Sequence, residues 1–262
     1  MTKTGGILYL IPNLIAPGPV EDALPTSSLA RIRKLSRFVV EGEKAAWKLL
    51  AAILDGPSLA KVSMELLDEH TKPESLPDLL APAIAGEDLG LISEAGIPCI
   101  ADPGAPLVAL AHDKGLRVVP LVGPSSLFLA LAASGLDGQR WMFLGYLPAE
   151  RNARREAIRA MERDLRADRY TRIFIETPYR NDHLLMDCLE CLGPGTRLCV
   201  ALAIGTEDEL IQTATVGEWR KRSVKLGKRP CVFLLGMVPP LGLDRTFTLG
   251  NSRSTTCSDK KS

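Results

Sequence analysis

The stretch Leu-Gly-Leu-Ile-Ser-Glu-Ala-Gly-Ile-Pro-Cys-Ile-Ala-Asp-Pro-Gly, residues 89–104, decides the fold class of this 262-residue chain. Its first four residues are continuously apolar, as in strands that are buried on both faces of a parallel sheet. The rest is rich in small residues and proline and leads into a helical pattern at 105–114. Because ligands bind beyond the carboxyl ends of strands in open α/β sheets, this segment predicts a ligand-binding loop.

The same alternation of apolar runs and helical patterns fills most of the chain. Strand-like runs are predicted at residues 7–11, 38–40, 89–92, 118–122, 141–144, 173–175, 198–204 and 232–235. Helical patterns are predicted at residues 43–54, 74–85, 105–114, 125–134, 150–166 and 181–192. Strands that alternate with helices in this way predict an α/β fold with largely parallel sheets.

Two domains with different sheets are expected. At roughly 100–200 residues per domain, the chain forms one large domain or two small ones. The turn-rich segment 135–140 predicts an N-terminal α/β domain at residues 1–138 and a C-terminal domain at residues 139–239. The second domain is expected to be mixed α/β, because the runs at 198–204 and 210–216 are typical of a hairpin.

Composition excludes several classes of protein. Hydrophobic residues make up 46% of the chain and charged residues 24%, which excludes a chain that is disordered or collagen-like throughout. No apolar run approaches the ~18–20 residues of a membrane span, and the first run is too short for a signal sequence. A soluble cytoplasmic protein is therefore expected. The polar residues 240–262 are predicted to form a disordered tail.

Charge is unevenly distributed along the chain. The net charge of +1 gives no overall reason to bind nucleic acid. Residues 1–140 carry 12 Lys and Arg against 16 Asp and Glu, whereas the remainder carries 20 against 15. Residues 220–229 hold six cations and no acid. This distribution indicates either an anionic partner near the second half or solvated faces that differ in composition.

Standard metal and nucleotide signatures are missing from the sequence. Cys188 and Cys191 form the one CxxC pair, and the three histidines do not complete a zinc ligand set, so no metal site is predicted. The two cysteines share a face of a helical pattern, and we interpret them as small buried apolar residues. Neither GxGxxG nor GxxxxGK[ST] occurs, so ligand binding must involve other loops.

Polar residues follow two further predicted strands. Ser125 and Ser126 come after the strand at 118–122, where they could cap a helix or the amides there could hold an anion. Arg180 comes after the strand at 173–175. It could bind a phosphate or carboxylate, or it could pair with an acid at the start of the next helix.

Five short motifs resemble, in this order, those of the tetrapyrrole methylase superfamily, and most of all its branch of ribosomal RNA small subunit methyltransferase I proteins. They are Ser-Glu-Ala-Gly-Ile-Pro (93–98), Asp-Pro-Gly (102–104), Gly-Pro-Ser (123–125), Gly-Tyr-Leu-Pro (145–148) and Glu-Thr-Pro-Tyr-Arg (176–180). Each motif alone is weak. Five of them in register make the resemblance specific.

The resemblance implies a class III methyltransferase that uses S-adenosylmethionine (SAM). It implies two α/β domains with the cofactor cleft between them, and a homodimer. The residues expected to contact the cofactor are Leu10, Ile97, Ile100, Ser126, Leu127, Ile175, Ala201 and Pro230. Tyr179 and Arg180 are expected at the substrate. Glu41 and Glu94 follow strands and are candidates for a catalytic base or, alternatively, acids at helix N-termini.

Two segments depart from the motifs of that branch. Residues 12–18 keep only Asn-Leu from its Gly-Asn-Leu-x-Asp-Ile-Thr, and Glu-Gly-Glu-Lys at 41–44 replaces its Glu-Asp-Thr-Arg. These segments are expected to face the methyl acceptor. The cofactor motifs are therefore better preserved than the acceptor motifs.

Three functions are compatible with these features. The first is SAM-dependent methylation of RNA, with the cations of residues 220–229 along the phosphates. The second is methylation of a tetrapyrrole or another small molecule, in a cleft lined by Met142, Phe143 and Tyr146. The third is a relative that binds SAM without turnover, which the altered acceptor motifs suggest.

Overall fold

A computed structural model describes residues 5–239 of the chain. The predicted tail at 240–262 lies outside the described residues. The strands are β1 (Ile7–Ile11), β2 (Arg37–Val40), β3 (Ser63–Leu66), β4 (Leu89–Ile92), β5 (Arg117–Pro120), β6 (Trp141–Tyr146), β7 (Thr171–Ile175), β8 (Arg197–Leu202), β9 (Leu210–Thr215) and β10 (Cys231–Gly236). The helices are α1 (Val20–Ala23), α2 (Thr26–Ile32), α3 (Glu43–Ile53), α4 (Gly56–Leu59), α5 (Leu76–Ile84), α6 (Ala105–Asp113), α7 (Ser126–Ser134), α8 (Arg151–Asp168), α9 (Asn181–Cys191) and α10 (Val216–Trp219).

The first sheet is parallel throughout and has the strand order β3-β2-β4-β1-β5. Its central strand β4 is buried at every position, which explains the continuous apolar run. Ile11 and Phe38 pack in an apolar cluster with helix α3, and Leu8 and Leu91 pack in another with α5 and α6. The α/β prediction for this half is confirmed.

The sequence prediction missed strand β3 and the helices between β1 and β2. Strand β3 is an edge strand whose residues are exposed or half-buried, so it has no apolar run. Helices α1 and α2 begin after Pro19 and Pro25, and in each the proline precedes a short helix with few buried residues. A periodic pattern needs a longer window than these elements offer, because β3 and α1 have four residues each and α2 has seven.

The second sheet is mixed and has the strand order β6-β7-β10-β8-β9. In this sheet, as far as the structure describes it, β6 and β7 are parallel neighbours and the other three pairs are antiparallel. The predicted hairpin is confirmed as β8 and β9, although β8 ends at Leu202. The chain leaves β8 through Ala203, which adopts a left-handed φ of 50°.

Helix α7 joins the two sheets. Its buried residues Leu127 and Leu131 pack with Ala201 and Val232 of the second sheet. At its end, Thr213 Oγ1 of β9 donates a hydrogen bond to the Ser134 carbonyl at 2.6 Å. By packing, α7 therefore belongs to the second sheet, while the domain boundary at residue 138 stays a prediction.

Several ion pairs, of which Arg154–Asp187 is buried, hold the Arg-rich helix α8 to α9. Asp187 on α9 is almost fully buried, and its Oδ2 accepts hydrogen bonds from Nη2 and Nε of the buried Arg154 at 2.6 and 2.9 Å. Arg151 donates to the other oxygen of Asp187 at 3.2 Å, and Arg155 pairs with Glu190. Much of the positive charge in this helix is therefore structural.

The CxxC pair lies on α9 and is reduced. Cys188 is fully buried in the core of the second half, where burial raises the pKa of its thiol, and Cys191 is half-buried beside it. This confirms their interpretation as apolar packing residues. Within residues 5–239, no group of three or more His, Cys, Asp or Glu could hold a metal ion. No helix in that range has the length and apolarity to cross a membrane.

Replacing Asp187 by Ala should destabilise the protein by about 3–5 kcal/mol, because Arg154 would stay buried without its partner. Urea denaturation followed by circular dichroism measures the change. The matched control is Glu190→Ala, which removes a half-exposed partner of Arg151 and Arg155 and should cost less than about 1 kcal/mol. Equal losses in both variants would contradict the assignment of the buried pair.

Candidate active site

The loops after β1 and β4 are joined by a backbone bridge. Asn13 N donates to the Gly96 carbonyl at 2.9 Å, and Gly96 N donates to the Asn13 carbonyl at 3.1 Å. The buried side-chain amide of Asn13 also donates to the carbonyls of Ser93 and Glu94. These bonds fix the first half of the 93–104 loop at the carboxyl end of the sheet.

The loop after β5 packs against both of these loops. A Cβ atom on Gly123 would lie 2.4 Å from the Pro12 Cβ, so only glycine allows this approach. A Cβ atom on Gly96 would lie 3.7 Å from the Pro124 carbonyl oxygen. Three loops from three adjacent strands therefore meet in one wall, as the positions of the motifs predicted.

The second half of the 93–104 loop is held in an unusual backbone conformation. Cys99 and Ala101 have left-handed φ values of 71° and 67°, which non-glycine residues rarely adopt. Asp102 Oδ1 accepts hydrogen bonds from Cys99 N at 2.5 Å and from Gly104 N at 3.4 Å. Burial raises the pKa of the Cys99 thiol to about 12, so this cysteine stays protonated at neutral pH.

Several expected cofactor residues meet in one apolar cluster. Leu127, Ile175 and Ala201 all belong to the cluster between α7 and the second sheet, together with Ile15 from the loop after β1. Ser126 is the first residue of α7. Ser125 precedes the helix, and its side chain makes no capping hydrogen bond. Residues of the first and second halves therefore pack in the same core cluster.

The remaining expected cofactor residues lie outside that cluster. Leu10 is half-buried at the end of β1, on the other side of the first sheet. Ile97 is half-buried and Ile100 is exposed, both on the 93–104 loop. The Pro230 carbonyl accepts a hydrogen bond from Ala203 N at 2.8 Å, which places Pro230 beside the end of β8. The cofactor roles of all eight residues stay predictions.

Carboxylates line the ends of β2 and β4. Glu41 Oε2 accepts a hydrogen bond from Glu94 N at 2.9 Å, and a Cβ atom on Gly42 would lie 2.6 Å from Glu94 Oε1. The pKa of Glu41 is raised, mainly by burial, and also by the negative charges of Asp102 and Glu94. Neither glutamate lies within a helix, and the structure brings these two candidate bases together.

Tyr146 marks where the two halves face each other. It ends β6, pairs in register with Ile175 of β7, and is exposed. The pKa of its hydroxyl is raised by burial and by the negative charges of Glu176, Glu41 and Glu94. The negative charges of residues that follow β2, β4 and β7 therefore act on this hydroxyl. Met142 and Phe143 are half-buried in β6, and Phe143 packs in the core cluster of α7.

Arg180 pairs with an acid of its own segment. Its Nη2 and Nε donate to Glu176 Oε1 at 2.7 and 3.0 Å, and its guanidinium lies 5.5 Å from the centre of the exposed Tyr179 ring. Of the two alternatives for Arg180, the structure shows the pairing with an acid. Glu176 is the first residue of the Glu-Thr-Pro-Tyr-Arg motif, and the sequence gives it no role. The complete burial of its side chain cannot be inferred from the sequence.

The chain is similar in sequence and in fold to known proteins. No family model matches the chain. The ribosomal RNA small subunit methyltransferase I of Escherichia coli O157:H7 is 36% identical over 172 residues, which cover 64% of this chain and 59% of that protein. The protein of the same name from Vibrio cholerae is 32% identical over 212 residues, covering 81% and 69%.

A solved structure supports the fold. The methyltransferase CobJ superposes with a TM-score of 0.59 at 17% identity, covering 91% of this chain and 97% of that one. At this identity the likeness concerns the fold. The match with the Escherichia coli relative spans less than two thirds of that protein's length.

Replacing Gly123 by Ala should destabilise the protein by about 1–3 kcal/mol, because the added methyl group collides with Pro12. The matched control is Gly138→Ala, since a Cβ atom there meets nothing within 4 Å and should change stability by less than about 0.5 kcal/mol. Thermal unfolding measures both. A Gly123→Ala variant as stable as the control would show that the loops after β1 and β5 are not in close contact.

Proposed function

We propose that this chain, which belongs to the tetrapyrrole methylase superfamily and within it to the family of ribosomal RNA small subunit methyltransferase I proteins, is a SAM-dependent methyltransferase that acts on RNA. The observation that carries the proposal is the meeting of the loops after β1, β4 and β5 in one wall opposite the second sheet. These loops hold three of the five family motifs.

The residues of this wall fit SAM. The close contact of Gly123 with Pro12 fixes the backbone of these loops, so their peptide groups are held in place for a ligand. Leu127 and Ala201 are buried in the core beneath this wall, the half-buried Ile175 packs against them, and Ser126 lies at the start of the same helix as Leu127. When bound, SAM supplies an electrophilic methyl group, so the protein needs mainly to align the acceptor and exclude water.

Glu41 and Glu94 are the groups proposed to handle a proton. The raised pKa of Glu41 brings this carboxylate closer to the neutral range in which a general base is effective. Its hydrogen bond with Glu94 N holds it at the end of β2, and a hydroxyl acceptor would lose its proton to it. Tyr179 is exposed at the edge of the same region and is proposed to contact the acceptor.

RNA is the proposed acceptor because the relatives are named for it and because the second half carries the positive excess. Of the six cations of residues 220–229, Arg222 lies with its guanidinium 5.0 Å from the centre of the Trp219 ring, and the other five form two groups. Arg220 donates to the Leu189 and Leu192 carbonyls, and Arg229 donates to the Leu226 and Lys225 carbonyls. Lys221, Lys225 and Lys228 are exposed and are the side chains proposed to contact phosphates.

A cytoplasmic homodimer is the proposed form of the enzyme. Val122, Phe128 and Leu129 are large apolar side chains that stay exposed on α7 and the loop before it. Such a patch is typical of a surface that a partner covers. A second copy that covers this patch would not need to cover Tyr146, which lies on β6.

Replacing Ser126 by Trp should weaken SAM binding at least about tenfold, because the new side chain would fill the space beside the start of α7. Isothermal titration of the purified protein measures the affinity. Ser63→Trp, on the exposed edge strand β3, is the matched control and should bind as the wild type does. Unchanged affinity in a folded Ser126→Trp protein would move the cofactor away from this wall.

Incubation with tritiated SAM and cell extract, followed by fractionation, tests the acceptor class. Label in RNA supports the proposal, label in small molecules supports the alternative acceptor, and binding of SAM without transfer of label supports a relative without turnover.

The triple variant of Lys221, Lys225 and Lys228 to Ala should bind RNA more weakly and with a flatter salt dependence, by roughly one unit of slope per lost phosphate contact. SAM affinity should not change. Filter binding at several salt concentrations gives the slopes. Arg220 and Arg229 are left in place because their contacts with carbonyls are structural. Identical slopes would remove this segment from the RNA surface.

A further inference from the structure

A cavity of about 470 Å³ lies at the end of the second sheet that faces away from the candidate active site. Gly236, the last residue of β10, and Arg197, the first residue of β8, both line this cavity and pair with each other in register. At the other end of these strands Cys231 pairs with Leu202, directly after Pro230, which is expected at the cofactor. The length of β10 separates the two ends by about 17 Å. The cavity is therefore a site apart from the cofactor cleft.

One wall of the cavity is the turn between α9 and β8, and the fold holds this turn in place from two sides. Glu162 Oε1 on α8 accepts a hydrogen bond from Gly193 N at 2.8 Å and another from Thr196 Oγ1. From the side of α10, Gly217 N donates to the Pro194 carbonyl at 2.9 Å. The wall is thus fixed by contacts with two helices.

The lining of the cavity combines apolar side chains with cations. Leu165 is buried, whereas Val238 is 52% exposed although it is apolar. Arg166 and Arg197 are exposed and supply two positive charges. Glu162 supplies a negative charge, and its Oε2 lies 3.6 Å from Arg166 Nη2. A ligand with a flat or apolar body and an anionic group fits a cavity of this size and lining.

Further positive charge lies beside the turn. Arg220 Nη2 donates to the Leu192 carbonyl at 2.9 Å, which ties the segment after α10 to the start of the turn. Lys221 and Arg222 follow on this segment and are exposed. Glu218, the acid of the same region, is engaged in the capping box of α10. The cations around the cavity favour a polyanion.

We propose that this cavity is a second RNA-binding site, which receives one unpaired nucleotide of the RNA. The base lies against Leu165, Met237 and Val238, and Arg166 and Arg197 contact the neighbouring phosphates. Arginine suits both parts of a nucleotide, because its guanidinium stacks on a base and pairs with phosphate oxygens. The inference rests on the proposed function and goes beyond it, because a nucleotide held at this end anchors the RNA without taking part in methyl transfer.

Binding of a single-stranded hexamer of uridine to the full chain, measured by fluorescence anisotropy without SAM, tests the inference. The double variant Arg166→Ala with Arg197→Ala should bind at least about fivefold more weakly, and its salt dependence should flatten by roughly 1.4 units of slope, because two phosphate contacts are lost. The matched control is Lys114→Ala with Arg117→Ala, which removes two exposed cations from the first half and should bind as the wild type does. Equal affinities of the two double variants would overturn the inference.

A variant that fills the cavity separates its interior from the charge on its rim. Gly195 lines the cavity and a Cβ atom there meets nothing within 4 Å, so Gly195→Leu keeps the fold and occupies the space. This variant should bind the hexamer at least about fivefold more weakly with an unchanged salt slope, because the base is excluded while both arginines remain. Gly138→Leu, which also meets nothing within 4 Å but does not line the cavity, should bind as the wild type does. A folded Gly195→Leu protein with wild-type affinity would overturn the inference.

Crosslinking locates the bound nucleotide directly. A hexamer that carries 4-thiouridine near its centre is irradiated in complex with the full chain, and crosslinked peptides are identified by mass spectrometry. We expect crosslinks to residues 193–197 and 236–238. Crosslinks confined to other segments would leave the cavity to a protein segment of this or another chain, and would overturn the inference.

The tritiated-SAM experiment separates failure of the inference from failure of the proposed function. If label enters RNA but both cavity variants bind the hexamer as the wild type does, the inference alone fails. If no label enters RNA while the cavity variants lose affinity for the hexamer, the proposed methyl transfer fails and the RNA-binding cavity stands.

Discussion

The backbone bridge between Asn13 and Gly96 is the contact on which the candidate site depends. The strand order β2-β4-β1-β5 brings four carboxyl ends to one edge of the sheet, and the bridge ties the loops of the two central strands together there. The loop after β5 can close on them only because Gly123 has no side chain. The strand order brings the loops to one edge of the sheet, and these contacts hold them together in one wall.

Local sequence predicted the parts of this wall that depend on burial and on turn residues. Strand β4 is continuously apolar because both of its faces are covered, and small residues with prolines follow it where the backbone turns. The edge strand β3 escaped prediction because its exposed side chains leave no periodic signal. The contact between Gly123 and Pro12 joins positions far apart in the chain, and no local pattern indicates it.

Predictions from charged residues were the least reliable, because the sequence does not indicate which group a charged side chain pairs with. The Arg-rich pattern of α8 is compatible with an RNA surface, yet Arg154 is buried against Asp187 of α9. Arg180 pairs with Glu176, and Arg220 binds carbonyls at the end of α9. In each case the guanidinium satisfies several acceptors inside the fold. Lys221, Lys225 and Lys228, which lack a planar guanidinium, are exposed in the segment 220–229.

The carboxylates around Tyr146 give the cleft a polarity that the net charge conceals. A chain with a net charge of +1 places acids from both halves at one end of the site and lysines on an exposed segment after α10. The exposed lysines attract a polyanion, whereas the acids that follow β2, β4 and β7 repel one, so the two groups of charges favour opposite sides for a polyanion.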